Sequence, residues 1–498
     1  VFLEQFFLFL TAKNIAISQF SVNAVGLINL ALLHCMRKYY SCCFTCLVLL
    51  FSCVLNAQVN TLYYMENVPA RNVLNPAFIP VQKFYIDLPV VSGVAFVLGN
   101  NSVSVQDVLV KRNGMWMTYL HPDANHAILL NALKSTTNII NEYRVNLLGF
   151  GFRLPEGYFT FGLSERYKMG LNVPKSLVSL LLNGAPDTLS VNRYDFKKLG
   201  GDVSAYLEMA FGYSKRIDET WTVGGKFKVL FGQMHGGFSA STLKLNVGMQ
   251  NIDIFGKGGA RMTIPVAVTD DNGLPYVQAK DVQLNSILHP VGLGMAIDAG
   301  VVYKYDDRLQ LSASIDDVGL IRWKKQDWSA SLKSNMSFSG LNYSIVNTND
   351  DWKQWRDSLK HTYSSSFGGN AYVSMLTATA RLGADYTLLK RKVDLGFLLV
   401  NTFGGRYYYN ELLASLNLRP AYWFNASLSY GLLNGNQGTL GLGVNVIAGL
   451  INFFVVTDYL PLYYTADGIP YKSKYVNGHV GVSLTFNDRK RKFACHCK

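Results

Sequence analysis

Apolar and polar side chains alternate position by position through most of this chain, and nowhere after residue 57 do as many as ~18 apolar residues run together. A period of two puts one set of side chains on each face of a strand. Between Tyr206 and Ser214, Leu207, Met209, Phe211 and Tyr213 share one face, with Glu208, Ala210, Gly212 and Ser214 on the other. A polar turn, Ile217 to Thr220, leads into the mirror pattern: Trp221, Val223, Phe227, Val229 and Phe231 against Thr222, Gly224, Lys226 and Lys228. The spacing predicts a hairpin.

The device repeats. Phe159, Phe161 and Leu163 oppose Tyr158, Thr160, Gly162 and Ser164 after the turn Pro155-Glu156-Gly157. Leu293, Met295 and Ile297 oppose Gly292, Gly294, Ala296 and Asp298, and Asp306-Asp307-Arg308 turns into Leu309, Leu311, Ala313 and Ile315. Leu376 to Leu388 sets Leu, Ala and Tyr against Thr377, Thr379, Arg381, Gly383 and Asp385. Further strands follow at Tyr422 to Tyr430 and Leu440 to Val446, and Val480, Val482, Leu484 and Phe486 alternate into an aromatic stop.

Soluble antiparallel sheets alternate too. Three features favour an all-β transmembrane antiparallel up-and-down β-barrel. The polar face is rich in Gly, Ser, Thr and Asn with isolated charges, while the apolar face ends in Tyr, Trp or Phe. Strands of about ten residues fit a tilted crossing of the hydrocarbon layer. Short connections, near 155–157, 217–220, 306–308, 389–392, 419–420 and 448–449, alternate with longer ones. From Phe84 to Leu98 through the last strand there are about sixteen candidates. Two are weak, Thr242 to Met249 and Arg261 to Val268; as a loop hairpin they leave about fourteen. The final aromatic strand is the kind shown to barrel assembly machinery, although Asn487 to Lys498 follow it as a basic periplasmic tail.

Export is written at the front. Met36-Arg37-Lys38, an apolar stretch from Cys42 to Leu55, and Asn56-Ala57-Gln58 form a leader over 36–57 with cleavage between Ala57 and Gln58. A lipidation box ending at Cys53 is the alternative, and Phe51 suits it poorly. Residues 1–35 read as upstream gene-call excess. Of seven Cys, five precede the cleavage point and two, Cys495 and Cys497, lie in the last four residues, so the body has none. Cys495-His496-Cys497 lacks a fourth ligand for a tetrahedral metal site. The net charge of +13 is not arranged as a basic stripe interleaved with aromatics, which leaves outer-membrane lipid, not nucleic acid, as the partner.

Residues 58–83 precede the barrel at 84–486 and carry Pro69, Pro76 and Pro80, which suit neither strand nor helix. They contain Asn75-Pro76-Ala77. With Gly224-Gly225-Lys226-Phe227-Lys228 and Asp317-Val318-Gly319-Leu320-Ile321-Arg322-Trp323, this element makes the chain resemble the FadL-like superfamily of outer-membrane proteins. More closely it is similar to an uncharacterised Bacteroidetes barrel family related to PorV-like proteins, in pattern over most of 58–486. The resemblance implies fourteen strands and an N-terminal segment folded into the lumen as a hatch that includes Asn75, Pro76 and Ala77. It implies either diffusion of small hydrophobic compounds, as in FadL-type members, or a shuttle or platform for secretion components, as in PorV-like members.

Two helical insertions are expected, Pro174 to Leu182 and Asp350 to Lys360 with Trp352 and Trp355 on one face. No nucleophile elbow, zinc-protease motif or phosphate loop is present, and His121, His126, His235, His289 and His361 lack companions at diagnostic spacings. The sequence therefore points to no enzyme and no cofactor. The inward charges Lys226, Lys228, Arg381 and Asp385 are the candidates for setting lumen polarity, with pairing across neighbouring strands as their plainer role.

Overall fold

The computed structural model describes residues 59–89, 91–112, 115–118, 125–183, 192–248, 252–271, 274–276, 289–338, 363–389, 392–404, 409–435, 437–465 and 470–486. The expected leader with Ala57 and Gln58, the expected helix Asp350 to Lys360, His121, His361 and the terminal Cys-His-Cys lie outside them.

Antiparallel strands close into a 14-strand barrel. In order these are β1 (Phe84–Asp87 continued by Val94–Asn100), β2 (Thr136–Arg153), β3 (Tyr158–Pro174), β4 (Gly200–Arg216), β5 (Trp221–Val247), β6 (Gly292–Lys304) and β7 (Leu309–Trp323). The circle continues through β8 (Ala378–Leu389), β9 (Val393–Phe403), β10 (Tyr409–Ala421), β11 (Phe424–Leu433), β12 (Gln437–Ala448), β13 (Ile451–Thr457) and β14 (Tyr475–Phe486). Both pieces of β1 pair with β14 on one side and β2 on the other, which seals the cylinder. Closure gives the ladder amides partners without cysteine cross-links, as a lipid environment demands.

The outward faces are bare hydrocarbon: Leu293, Met295 and Ile297 are 58%, 60% and 56% exposed, while Ala296 between them is 2% exposed. Such a surface is stable only against lipid. Aromatic rings gather where both chain ends of the barrel meet: Phe84 lies 5.5 Å from Phe486, Trp221 lies 4.5 Å from Tyr303, and Tyr422 and Trp423 are exposed. The tight turns sit at this end. Asp218 accepts from the backbone N–H groups of Thr220 and Trp221 at 2.7 Å each, and Asp306 from those of Arg308 and Leu309 at 2.6 Å each. These self-capped turns hold both carboxyls below their ordinary range.

Three expectations change in detail. The segment Phe84 to Leu98 is not one strand: it breaks between Asp87 and Val94, where Pro89 cannot donate to a ladder. The hairpin near 419–420 closes instead at Tyr422–Trp423, because the register shift between Leu418 and Ala421 absorbs Pro420. Finally, Thr242 to Val247 is the far end of β5, which at 27 residues outruns a membrane crossing. There it pairs with Ile252–Thr263, which pairs with Gln326–Phe338 in turn. Val203, Met234, Met262, Ile264 and Trp328 form the core of this extension. The expected helix is present as Lys175–Asn183.

Candidate functional site

A fourteen-strand cylinder encloses more space than its own side chains fill. Residues 59–82 occupy it. They form two short 3₁₀ turns, Asn60–Tyr64 and Pro69–Val73, and Val59, Tyr63 and Asn75 are all 0% exposed. A 3₁₀ turn suits a proline-rich segment, since Pro69 stands at its first position, where no N–H is required.

The segment's turn is built by Asn75. Its Oδ1 accepts from the backbone N–H of Ala77 at 2.9 Å, and its Nδ2 donates to the Tyr63 hydroxyl at 3.1 Å and to the Ala313 carbonyl at 3.3 Å. The wall accommodates this turn only because two inward positions have no side chain. A Cβ on Gly224 would stand 2.2 Å from the Pro76 carbonyl oxygen, and one on Gly300 would stand 2.1 Å from Asn75 Oδ1. Thus Asn75-Pro76-Ala77 and the pair Gly224 and Gly300 are two halves of one contact. Gly396 against Tyr64 and Gly443 against Met65 repeat the fit further round.

Hydrogen bonds fasten the hatch to β7 through β13. Tyr63 donates to Ser312 at 3.1 Å, Ser314 donates to the Leu74 carbonyl at 2.8 Å, and Tyr64 donates to the Phe397 carbonyl. Asn60 Nδ2 donates to Glu411 at 2.6 Å, and Asp458 accepts from the Asn60 and Thr61 amides at 2.7 and 2.8 Å. Near the turn end, Arg419 of β10 joins Glu66 of the hatch to Asp394.

The four lumen charges named from the sequence all face inward, in different roles. Lys226 donates to the Asn72 carbonyl at 2.7 Å and so holds the hatch directly. Lys228 pairs with Asp298 at 2.7 Å and Asp317 at 2.6 Å. Arg381, 1% exposed, pairs with Asp316 and reaches Asn60 and the Leu74 carbonyl. Asp385 is half-buried, and its Oδ1 makes no hydrogen bond.

Lys228 belongs to a larger belt that the sequence did not disclose. Arg144 meets Glu208 at 3.2 Å, Arg166 meets Glu208 at 3.0 Å and Asp317 at 2.8 Å. Asp316 and Asp317 are consecutive, yet both carboxylates point inward. A bulge opposite Asp298 puts Asp317 at φ 61° and breaks the alternation. Arg144, Arg166 and Glu208 sit at inward parity, which is the signal available beforehand; their partners lie across several strands.

On the side of β1 to β4 the hold is thinner: Ser214 donates to the Pro76 carbonyl at 2.6 Å and Arg153 to that of Pro80 at 3.4 Å. A cavity of about 50 Å³ remains here. Pro69, Ala70 and Val73 of the hatch bound it, facing Arg144, Gly162 and Ala210 of the wall. The wall beside it is irregular three times over. β1 is broken, β2 is bulged between Asn146 and Leu148, and Gly149 lies opposite Gly162. A Cβ on Gly162 would touch nothing within 4 Å. Among the described residues, no group of three or more His, Cys, Asp or Glu is placed to hold a metal ion.

The model of a family of unknown function (DUF5723) matches residues 76–458. No curated protein matches the chain. Among solved structures, it is similar to the toluene transporter TbuX of Ralstonia pickettii, with 8% identity over 87% of this chain and 95% of that one and a TM-score of 0.37. A Pseudomonas aeruginosa FadL homologue shares 11% identity over 87% of this chain and 99% of its own, with a TM-score of 0.39. The P. putida toluene transporter TodX shares 10% over 85% and 95%, with a TM-score of 0.37.

Proposed function

The chain belongs to the DUF5723 family of unknown function, and from that premise we propose that it is an outer-membrane conduit for small hydrophobic compounds, shut by its own hatch in the state described above. One observation carries this reading: the hatch is bonded on one flank and leaves a cavity on the other, against the interrupted strand β1 and the bulged strand β2. At about 50 Å³ the cavity has room for a few waters, so a ligand must shift the hatch to enter. The facing pair Gly149 and Gly162 has no side chains to thicken the wall between lumen and lipid. A route that ends at hydrocarbon selects against charged solutes, whose transfer there is costly, and this sets the substrate class.

Liposome uptake of a small aromatic hydrocarbon by the purified barrel tests the proposal. Uptake is expected from the native protein and is lost in Gly162→Phe, which fills the cavity. It is also lost in an oxidised Ala70→Cys/Ala210→Cys pair that ties hatch to wall, and returns on reduction. Equal, negligible uptake in all forms refutes conduction.

A second reading, a non-transporting platform for secretion or surface assembly, draws on the completeness of the plug, with Val59, Tyr63 and Asn75 wholly buried. Under it, no compound crosses in any variant and a stable partner is recovered with the barrel.

A further inference from the structure

Two buried carboxylates, Glu411 and Asp458, each 1% exposed, meet the inner end of the hatch. Asp458 is answered by donors: the Asn60 amide at 2.7 Å, the Thr61 amide at 2.8 Å, the Thr61 hydroxyl at 2.5 Å and Asn477 Nδ2 at 3.2 Å. Glu411 is not. Its Oε2 accepts from Asn60 Nδ2 at 2.6 Å, and its Oε1, buried, has no hydrogen-bond partner. Independently, the hydroxyl of Thr439 on β12, a residue 8% exposed, is also buried without a partner.

The two orphan atoms converge. A Cβ on Gly431 of β11, which lies between β10 and β12, would stand 2.5 Å from Thr439 Oγ1 and 3.0 Å from Glu411 Oε1. Among the described residues no salt bridge reaches Glu411 or Asp458; the Arg381 guanidinium contacts Asn60 Oδ1 and is bound to Asp316. Buried anionic charge held by neutral donors, with one carboxylate oxygen left over, is a costly arrangement unless a cation completes it.

We propose that Glu411 and Thr439 form a seat for one monovalent cation over Gly431, and that the seat fixes the hatch through Asn60. The donors are oxygens, which select a hard cation or an ammonium group, and they are too few to strip the water from a divalent ion. Such a cation is an alkali ion from solution. The proposal is independent of whether anything crosses the barrel.

The test uses the folded full-length barrel in detergent and reads proteolysis of the hatch in sodium or potassium chloride against choline chloride at equal ionic strength. Roughly tenfold slower digestion is expected in the alkali salts, the factor for an ion at about ten times its dissociation constant. That difference disappears in Glu411→Gln and in Thr439→Val. Thr439→Val keeps the carboxylate and the side-chain volume, so it carries the test should Glu411→Gln not fold. Equal digestion in all salts overturns the proposal, leaving a neutral acid or a water at this point.

Discussion

The two flanks of the hatch follow opposite rules. Toward β7 to β13, hatch and wall are joined by short hydrogen bonds and by glycines that admit Tyr64 and Met65. Toward β1 to β4, the bonds are few and a cavity remains. A plug needed only to fill space would be packed evenly, since protein interiors leave few voids. Uneven packing means that the anchored flank can act as a hinge while the other opens, because local stability follows local bonding.

The comparison is most exposed on the anchored side. Arg381→Met strands the buried Asp316 carboxylate and is expected to cost about 3–5 kcal/mol, read as a fall in the thermal or denaturant midpoint of the folded barrel. A neutral outcome would mean that this flank anchors nothing. Next, Gly224→Ala, on β5 between the two flanks, drives a methyl group to 2.2 Å from the Pro76 carbonyl and should cost about 1–3 kcal/mol, with the hatch cut faster by protease while the barrel stays heat-modifiable. By contrast Gly162→Ala, on the loose flank, should change stability by no more than about 0.5 kcal/mol, since its methyl group enters open space. A large loss there would erase the difference between the flanks.

The smallest effect belongs to neither flank and serves as a baseline. Asp218 is held below the ordinary carboxyl value of 3.8 by the Thr220 hydroxyl and then by the Trp221 and Thr220 N–H groups, and Asp306 by the N–H groups of Leu309 and Arg308. Their contribution is therefore present above that value and fades as the pH falls through the lowered one. Both are exposed, so acidification below pH 3.8 should loosen these turns slightly, seen as faster amide exchange at Thr220 and Leu309, before either hatch flank responds.

The barrel was legible in the residues, and parts of the site were too. Period-two alternation placed Lys226, Lys228, Arg381 and Asp385 on the inner face, since parity along a strand is a local property. Parity misassigns Asp316-Asp317, because a bulge depends on the strand opposite, and Leu376, which is buried where the strand is interrupted between Met375 and Ala378. The break in β1 had a local sign, Pro89, whereas the bulge after Asn146 had none. Asn75-Pro76-Ala77 announced a turn without its socket, for Gly224 and Gly300 lie on strands far along the chain.

By itself, then, the order of residues determined the period, the faces and hence a closed sheet with an apolar outside. Only the tertiary structure decided what meets inside. Asn60 and Asp458 are 398 positions apart and become neighbours because the cylinder closes. The stagger of the strands and the path of the hatch are global quantities that no short stretch of chain encodes.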